Sequence, residues 1–240
     1  MKKLLALAAC MMLLSALTVN GTLAFSIEDI VASLTQFFGS EPENESDELK
    51  AATLIQVRSA SGMRAASEDE ILLPANYAAD FNWQATQEAT INGHTCKLWP
   101  ESGVQNAADK FISVRNDSAG KAIYFRTDIS VNKAAYALLK INLNQSGAFA
   151  WTDWTEDGDY MTIAAVYTEA LQPGEISPPM MLQIAMRNDV TNAQMAALGA
   201  EKLEIIRTNT LAIAADTPVT GSETITANQA VRLLMGQNPN

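Results

Sequence analysis

Residues Asp159–Ile184 read DYMTIAAVYTEALQPGEISPPMMLQI, and their order of strand, polar stop and strand decides the fold. Met161, Ile163, Ala165 and Tyr167 alternate with Thr162, Ala164 and Thr168, the period of a half-buried strand. Leu171 closes the apolar run, and Gln172-Pro173-Gly174-Glu175 supplies a turn. Proline presets φ at the first central position of such a turn, and glycine accepts the positive φ a type II turn requires next. Pro178-Pro179 cannot donate ladder hydrogen bonds, which places them at the mouth of a second strand, Met180 to Met186.

The same grammar extends outward. Phe111 to Val114 reads as a strand, and Asn116-Asp117-Ser118-Ala119-Gly120 as a turn rich in residues that tolerate left-handed backbone. Ala122 to Val131 returns, with Ile123, Phe125, Thr127 and Ile129 opposing Tyr124, Arg126, Asp128 and Ser130. Arg126 is placed to pair with an acidic neighbour, at the surface a contact worth ~0–1 kcal/mol. Ala51 to Arg58, Phe81 to Ile91, Leu138 to Leu143 and Lys202 to Ala215 are further strands, and Ser59 to Glu70 is a polar loop. Thr191 to Gly199, with its Thr-x-x-Gln capping box, and Thr226 to Met235, ending at Gly236, are short helices.

Upstream, Met1 to Ala24 has the layout of an export leader. Lys2 and Lys3 precede an apolar run, Leu4 to Leu17, and Thr22-Leu23-Ala24 is a small-residue cleavage site. Cleavage is expected between Ala24 and Phe25 by signal peptidase, with no stable membrane span after processing. Leu7-Ala8-Ala9-Cys10 has the form of a lipoprotein box, but cleavage there leaves too short an apolar region, so Cys10 is expected to leave with the leader.

Ser26 to Gly39 has helical periodicity. Ile27, Ile30, Val31, Leu34, Phe37 and Phe38 fall on one face, Ser26 and Asp29 stand at capping-box positions, and Gly39 can end the helix. Residues 40–50 form an acidic linker, 51–217 the β domain, and 218–240 a C-terminal tail with a short helix.

Composition narrows the function. The chain of 240 residues has a formal charge of −11, which becomes −13 without Lys2 and Lys3. Nucleic acid and anionic membrane surfaces are poor partners for it, because both are bound through clustered Lys and Arg. Cys96 is then the only cysteine, so no internal disulfide forms. His94 two positions earlier lies on the same side of a strand, which makes a Cys–His nucleophile pair conceivable, although Asn92-Gly93 reads as an ordinary turn.

Trp151 to Tyr160, WTDWTEDGDY, concentrates Asp153, Glu156, Asp157 and Asp159. Their order does not follow the D-x-[DN]-x-[DN]-G calcium loop with its distant glutamate. Asp157-Gly158 instead signals a hairpin, with Trp154 and Tyr160 available for cross-strand contact. No metal or other cofactor is expected, and Asp153, Asp157 and Asp159 are the candidates should one bind. No P-loop, G-x-S-x-G, H-E-x-x-H or CxxC occurs.

Three stretches together carry a family resemblance: Lys2 to Phe25 ending GTLAF, Lys110 to Val131 with V-x-N and A-x-Y-x-R, and the tyrosine strand followed by L-x-P-G-E. In this order the chain resembles the TasA/camelysin family of exported Firmicute proteins with an alternative, SipW-dependent-type signal peptide. The resemblance covers roughly the first 40 residues and 107–215. It implies an all-β fold, an immunoglobulin-like or jelly-roll antiparallel sandwich, here with an N-terminal amphipathic helix and short peripheral helices. In the family's fibre-forming members the segment after cleavage mediates assembly as an extended strand, whereas the periodicity here is helical.

Two classes of function follow. One is a secreted structural or interaction protein of the bacterial surface or biofilm matrix, self-associating or binding other matrix and cell-surface proteins, and not an enzyme. The other, implied by camelysin-type members, is a metal-dependent protease, for which His94 and Cys96 are the only residues of the usual zinc-ligand types outside the leader apart from carboxylates. A ligand- or carbohydrate-binding module is a further alternative, and would need exposed Trp83, Trp99, Trp151 and Trp154.

Overall fold

The computed structural model describes residues 49–59, 62–68, 85–100, 107–191, 193, 194, 197, 205–220 and 223–237. The leader with its Ala24–Phe25 site, the stripe from Ile27 to Phe38, and Trp83 lie outside the described residues.

Two antiparallel sheets face each other. The first combines β1 (Ala51–Ser59), β2 (Gly62–Ala65), β5 (Ala107–Asn116), β7 (Leu139–Leu143) and β11 (Met181–Met186), in the order β2-β1-β5-β11-β7. The second combines β6 (Ile123–Asn132), β8 (Phe149–Trp151), β10 (Tyr160–Tyr167) and β12 (Ile206–Ala214), in the order β12-β6-β10-β8, with β9 (Thr155–Asp157) also on β10. Two separate hairpins are β3 (Gln87–Ile91) with β4 (His94–Leu98), and β13 (Pro218–Thr220) with β14 (Glu223–Thr224). Helices α1 (Lys133–Leu138) and α2 (Ala227–Leu234) complete the order.

Strand periodicity sets the core. Ile112 and Val114 of β5, Ile123, Phe125, Ile129 and Val131 of β6, Ile163, Ala165 and Tyr167 of β10, and Met181 and Ile184 of β11 share one buried cluster between the sheets. Full burial of a side chain of the size of Ile112 or Phe125 contributes roughly 1.5–3 kcal/mol. Met181 and Ile184 both reach this cluster although three positions apart, because a β-bulge between Met181 and Gln183 shifts the register by one.

Both sheets are also covered on their outer faces. The β3–β4 hairpin seals the first, packing Ile91, Cys96 and Leu98 on Phe111 and Leu182. Helix α2 seals part of the second, packing Ala230 and Leu234 with Tyr124, Val166 and Ile213. The half-buried reading of β10 is corrected here. Ala164 and Val166 are as buried as Ile163 and Ala165, since α2 packs on the outer face of this strand at Val166.

At one side of the sandwich a polar seam joins the sheets. Thr53 of β1 and Thr127 of β6 each share a 2.8 Å hydroxyl hydrogen bond with Thr210 of β12. Lys110, 1% exposed, donates from Nζ to the carbonyls of Ser67 and Glu68 at 2.5 and 2.9 Å. The Glu68 carboxylate in turn accepts from the Thr208 amide and hydroxyl. A buried ammonium is tolerated when its protons are matched by acceptors, as these carbonyls do.

Local chemistry explains the remaining elements and several departures from the sequence reading. The expected polar loop after Ser59 contains β2, whose four residues are all exposed and so leave no apolar alternation to read. Lys133–Leu138 is a helix capped by the Asn132 side chain, and it takes Leu138 from the predicted strand. In the acidic hairpin Tyr160 pairs with Asp157, so Gly158 and Asp159 form the turn instead of Asp157 and Gly158. Gly158 has φ 55°, which glycine adopts at no steric cost. Helix α2 follows expectation, with a reciprocal capping box between Thr226 and Gln229. Thr191 and Gln194 likewise bond reciprocally ahead of helical residues 193, 194 and 197. Leu49 already packs on the core and Lys50 bonds the Asn116–Gly120 turn, so the predicted linker is tied to the sandwich at its end.

Candidate functional site

Asn116, at the end of β5, is the polar centre of the region that carries the family resemblance. It is fully buried, and its side-chain amide donates to the carbonyls of Lys121 and Leu171 at 2.8 and 2.9 Å. Its Oδ1 accepts from the Ser118 amide at 2.9 Å, an Asx turn that shapes the crossing to β6. Its backbone accepts from Gly174 and donates to the Glu175 carbonyl, the two residues that end the L-Q-P-G-E turn. That turn closes with Glu175 N–H on the Gln172 carbonyl at 3.0 Å, with Gly174 at φ 79°. The β5–β6 and β10–β11 crossings thus lie at one end of the sandwich, pinned to each other through one side chain.

Asn144 repeats the device after β7. Its Nδ2 donates to the Pro179 carbonyl at 2.9 Å and its Oδ1 accepts from Ser146 at 3.0 Å, which holds the two prolines at the entrance of β11. The sequence marks Pro178-Pro179, but it gives no sign that an asparagine 35 positions earlier fixes them.

The Cys96–His94 arrangement does not assemble as a nucleophile and base. The Cys96 thiol donates to the backbone carbonyl of His94 at 3.6 Å, while His94 Nε2 lies 2.9 Å from the Ile176 carbonyl. Cys96 is 1% exposed among Ile91, Leu98, Phe111 and Leu182, and burial pushes its pKa from 9.0 up to about 11. A reactive cysteine needs the opposite shift, toward thiolate at neutral pH. Ser113, also fully buried, has no hydrogen-bond partner among the described residues.

The candidate metal carboxylates stay in water. Asp153, Asp157 and Asp159 are exposed, and Lys133 Nζ lies 2.7 Å from Glu156 Oε2. Among the described residues no three of His, Cys, Asp and Glu are grouped so as to hold a metal ion. Trp154 packs on Tyr136 of α1 at 4.8 Å, and Arg207 of β12 lies over the Tyr160 ring at 3.3 Å. Trp99 is buried, and Trp151 and Trp154 are half-buried against the core, so none of these three offers an open stacking platform.

Arg126 does pair with an acidic neighbour, but in the interior and not at the surface. It donates from Nε to Asp128 Oδ1 at 2.6 Å and from Nη1 to the Leu234 carbonyl at 3.1 Å. Helix α2 is therefore tied at its C-terminus by a cation, the charge its dipole favours there. Among the described residues no helix is long and apolar enough to cross a membrane.

No family model, curated protein or solved structure matches this chain.

Proposed function

We propose that the chain is an exported structural or interaction protein of the bacterial surface or extracellular matrix, with a sandwich of the immunoglobulin-like or jelly-roll kind. The observation that supports this reading is the junction at Asn116. The V-x-N and L-x-P-G-E stretches, which resemble the TasA/camelysin family, meet there through hydrogen bonds and act as one structural unit. Such a unit orders two sheet crossings. The chemistry-bearing residues near it, Cys96 and His94, are engaged with backbone carbonyls.

The assembly element in this reading is the segment from Phe25 to Gly39, freed by cleavage after Ala24. Its stripe of Ile27, Ile30, Val31, Leu34, Phe37 and Phe38 presents six large apolar side chains, each worth roughly 1.5–3 kcal/mol when buried on a neighbour. The protein is accordingly not a protease, and its partners are other copies of itself or other matrix proteins.

The test is N-terminal sequencing of secreted protein, followed by sedimentation and electron microscopy of the mature chain and of a chain lacking Phe25 to Gly39. The expected result is a start at Phe25-Ser26-Ile27, association of the mature chain, and a truncated chain that stays folded and monomeric. A mature chain that stays monomeric at millimolar concentration, or casein turnover abolished by chelator and by His94→Ala, overturns the proposal.

A further inference from the structure

The turn of the β3–β4 hairpin carries the chemistry of a self-modifying site. Among the described residues Asn92 is the one asparagine that a glycine follows. The two residues close the hairpin between the paired Ile91 and His94, with φ 51° at Asn92 and 83° at Gly93, the positive values a type I′ turn requires. Gly93 is exposed, and nothing lies within 4 Å of the position a Cβ would take. No side chain therefore shields its nitrogen, the condition in which a main-chain amide most readily attacks the side-chain carbonyl carbon of the preceding residue.

A contact from a distant strand opposes that attack. Asn92 Nδ2 donates to Gln56 Oε1 of β1 at 2.8 Å, across 36 positions of chain. Gln56 stands opposite Phe111 in the β1–β5 ladder, and Phe111 is the residue on which Ile91, Cys96 and Leu98 of the hairpin pack. The bond thus ties the tip of the hairpin to the sheet that the hairpin covers. Ring closure has to break it, because the same side-chain amide must turn toward Gly93 and give up its nitrogen.

We propose that Asn92 is a deamidation site restrained by Gln56, and that its conversion unlatches the β3–β4 hairpin from the first sheet. The Gly93 nitrogen, deprotonated by hydroxide, forms a bond to Asn92 Cγ, the Cγ–Nδ2 bond breaks, and Nδ2 departs as ammonia. Water then opens the cyclic imide at either carbonyl and leaves aspartate or isoaspartate. Neither step consumes an oxidant or needs a cofactor. Aspartate sets a carboxylate oxygen where the donor to Gln56 Oε1 stood. Isoaspartate also adds an atom to the main chain inside a turn whose length fixes the register of β3 against β4.

Ageing the full folded chain in mildly alkaline buffer, with peptide mapping by mass spectrometry, tests this. The Asn92 peptide should gain the mass of an amide turned acid, with isoaspartate among the products. Conversion should be faster in Gln56→Met, which keeps the length of the side chain and loses the acceptor. In Gln56→Glu, whose carboxylate accepts the same bond, it should be no faster than in wild type. Hydrogen exchange on the converted fraction should show lost protection in β3 and β4 with β6 unchanged, and Cys96 beneath the hairpin should begin to take up a thiol reagent. An Asn92 still intact when an unfolded peptide of the same sequence has converted overturns the proposal. So do equal rates in wild type and Gln56→Met, or a hairpin as protected after conversion as before.

Discussion

The side-chain amide of Asn116 donates to the carbonyl of Leu171, 55 positions further along the chain, at 2.9 Å. This bond and the Ile123–Leu171 bridge beside it hold the crossing into β6 against the crossing out of β10. Each crossing passes between the sheets, so fixing one against the other fixes the two sheets at that end.

Replacing Asn116 by Ala is expected to destabilise the protein by about 2–4 kcal/mol, because the Leu171 and Lys121 carbonyls and the Ser118 amide all lose a buried partner. Chemical denaturation of both proteins measures it. A cost below about 0.5 kcal/mol, the range of ordinary surface substitutions, would show that water replaces these bonds.

Gly174→Ala should cost about 1–2 kcal/mol through backbone conformation alone, since an added Cβ meets nothing within 4 Å while φ is +79°. Gly174→Asn should cost less, because asparagine visits left-handed backbone more readily. Equal losses for the two variants would point to a contact and not to φ.

Cys96 is expected to resist thiol reagents in the native state and to react on unfolding. Its raised pKa also sets a direction for stability. The unfolded thiol ionises near its usual value of 9.0 while the folded one ionises at about 11, so stability is full below the first and falls as pH rises toward the second. Denaturation midpoints of wild type and Cys96→Ser across alkaline pH measure the difference. A wild-type midpoint that rises through this window contradicts the assignment.

Thr226→Ala removes the hydroxyl that accepts the Gln229 amide and should cost about 1 kcal/mol, felt first in α2. Hydrogen exchange should show faster exchange in Ala227–Leu234 with the β5 and β11 amides unchanged. Uniform acceleration throughout the chain would mean that α2 opens only with global unfolding.

What the sequence makes legible follows from where its chemistry is local. Gly174, Asn92-Gly93 and Gly158 announce turns because only a few residues adopt positive φ, and the structure places a turn at each. The strands around Phe111, Phe125 and Ile163 are legible from their alternation. Their second buried face is not, because the β3–β4 hairpin and α2 that cover it come from distant parts of the chain. Strand β2 carries no apolar signal, and the bulge at Met181–Gln183 hides in a run apolar on both sides. Asn116 is readable as a turn residue, but its partners are backbone carbonyls, which leave no mark on the residues that bear them. Proximity misleads in the other direction at His94 and Cys96, whose side chains share a strand face and bond elsewhere.

The passage of the chain from one sheet to the other at successive connections has a kinetic consequence. Among the described residues, neighbours in sequence pair only in the hairpins β1–β2, β3–β4, β9–β10 and β13–β14. The ladders that build the sandwich are remote: Gln56 with Phe111, Val131 with Met161, and Val131 again with Ile206. Closing such loops costs chain entropy before any contact returns it, which places folding in the range of ~1 ms to 1 s usual for sandwiches of high contact order. Strand β6 has no partner on one side until Ile206–Ala214 has been synthesised, so a nascent chain ending before β12 lacks half of its central ladder. Native structure is therefore gained late and nearly at once.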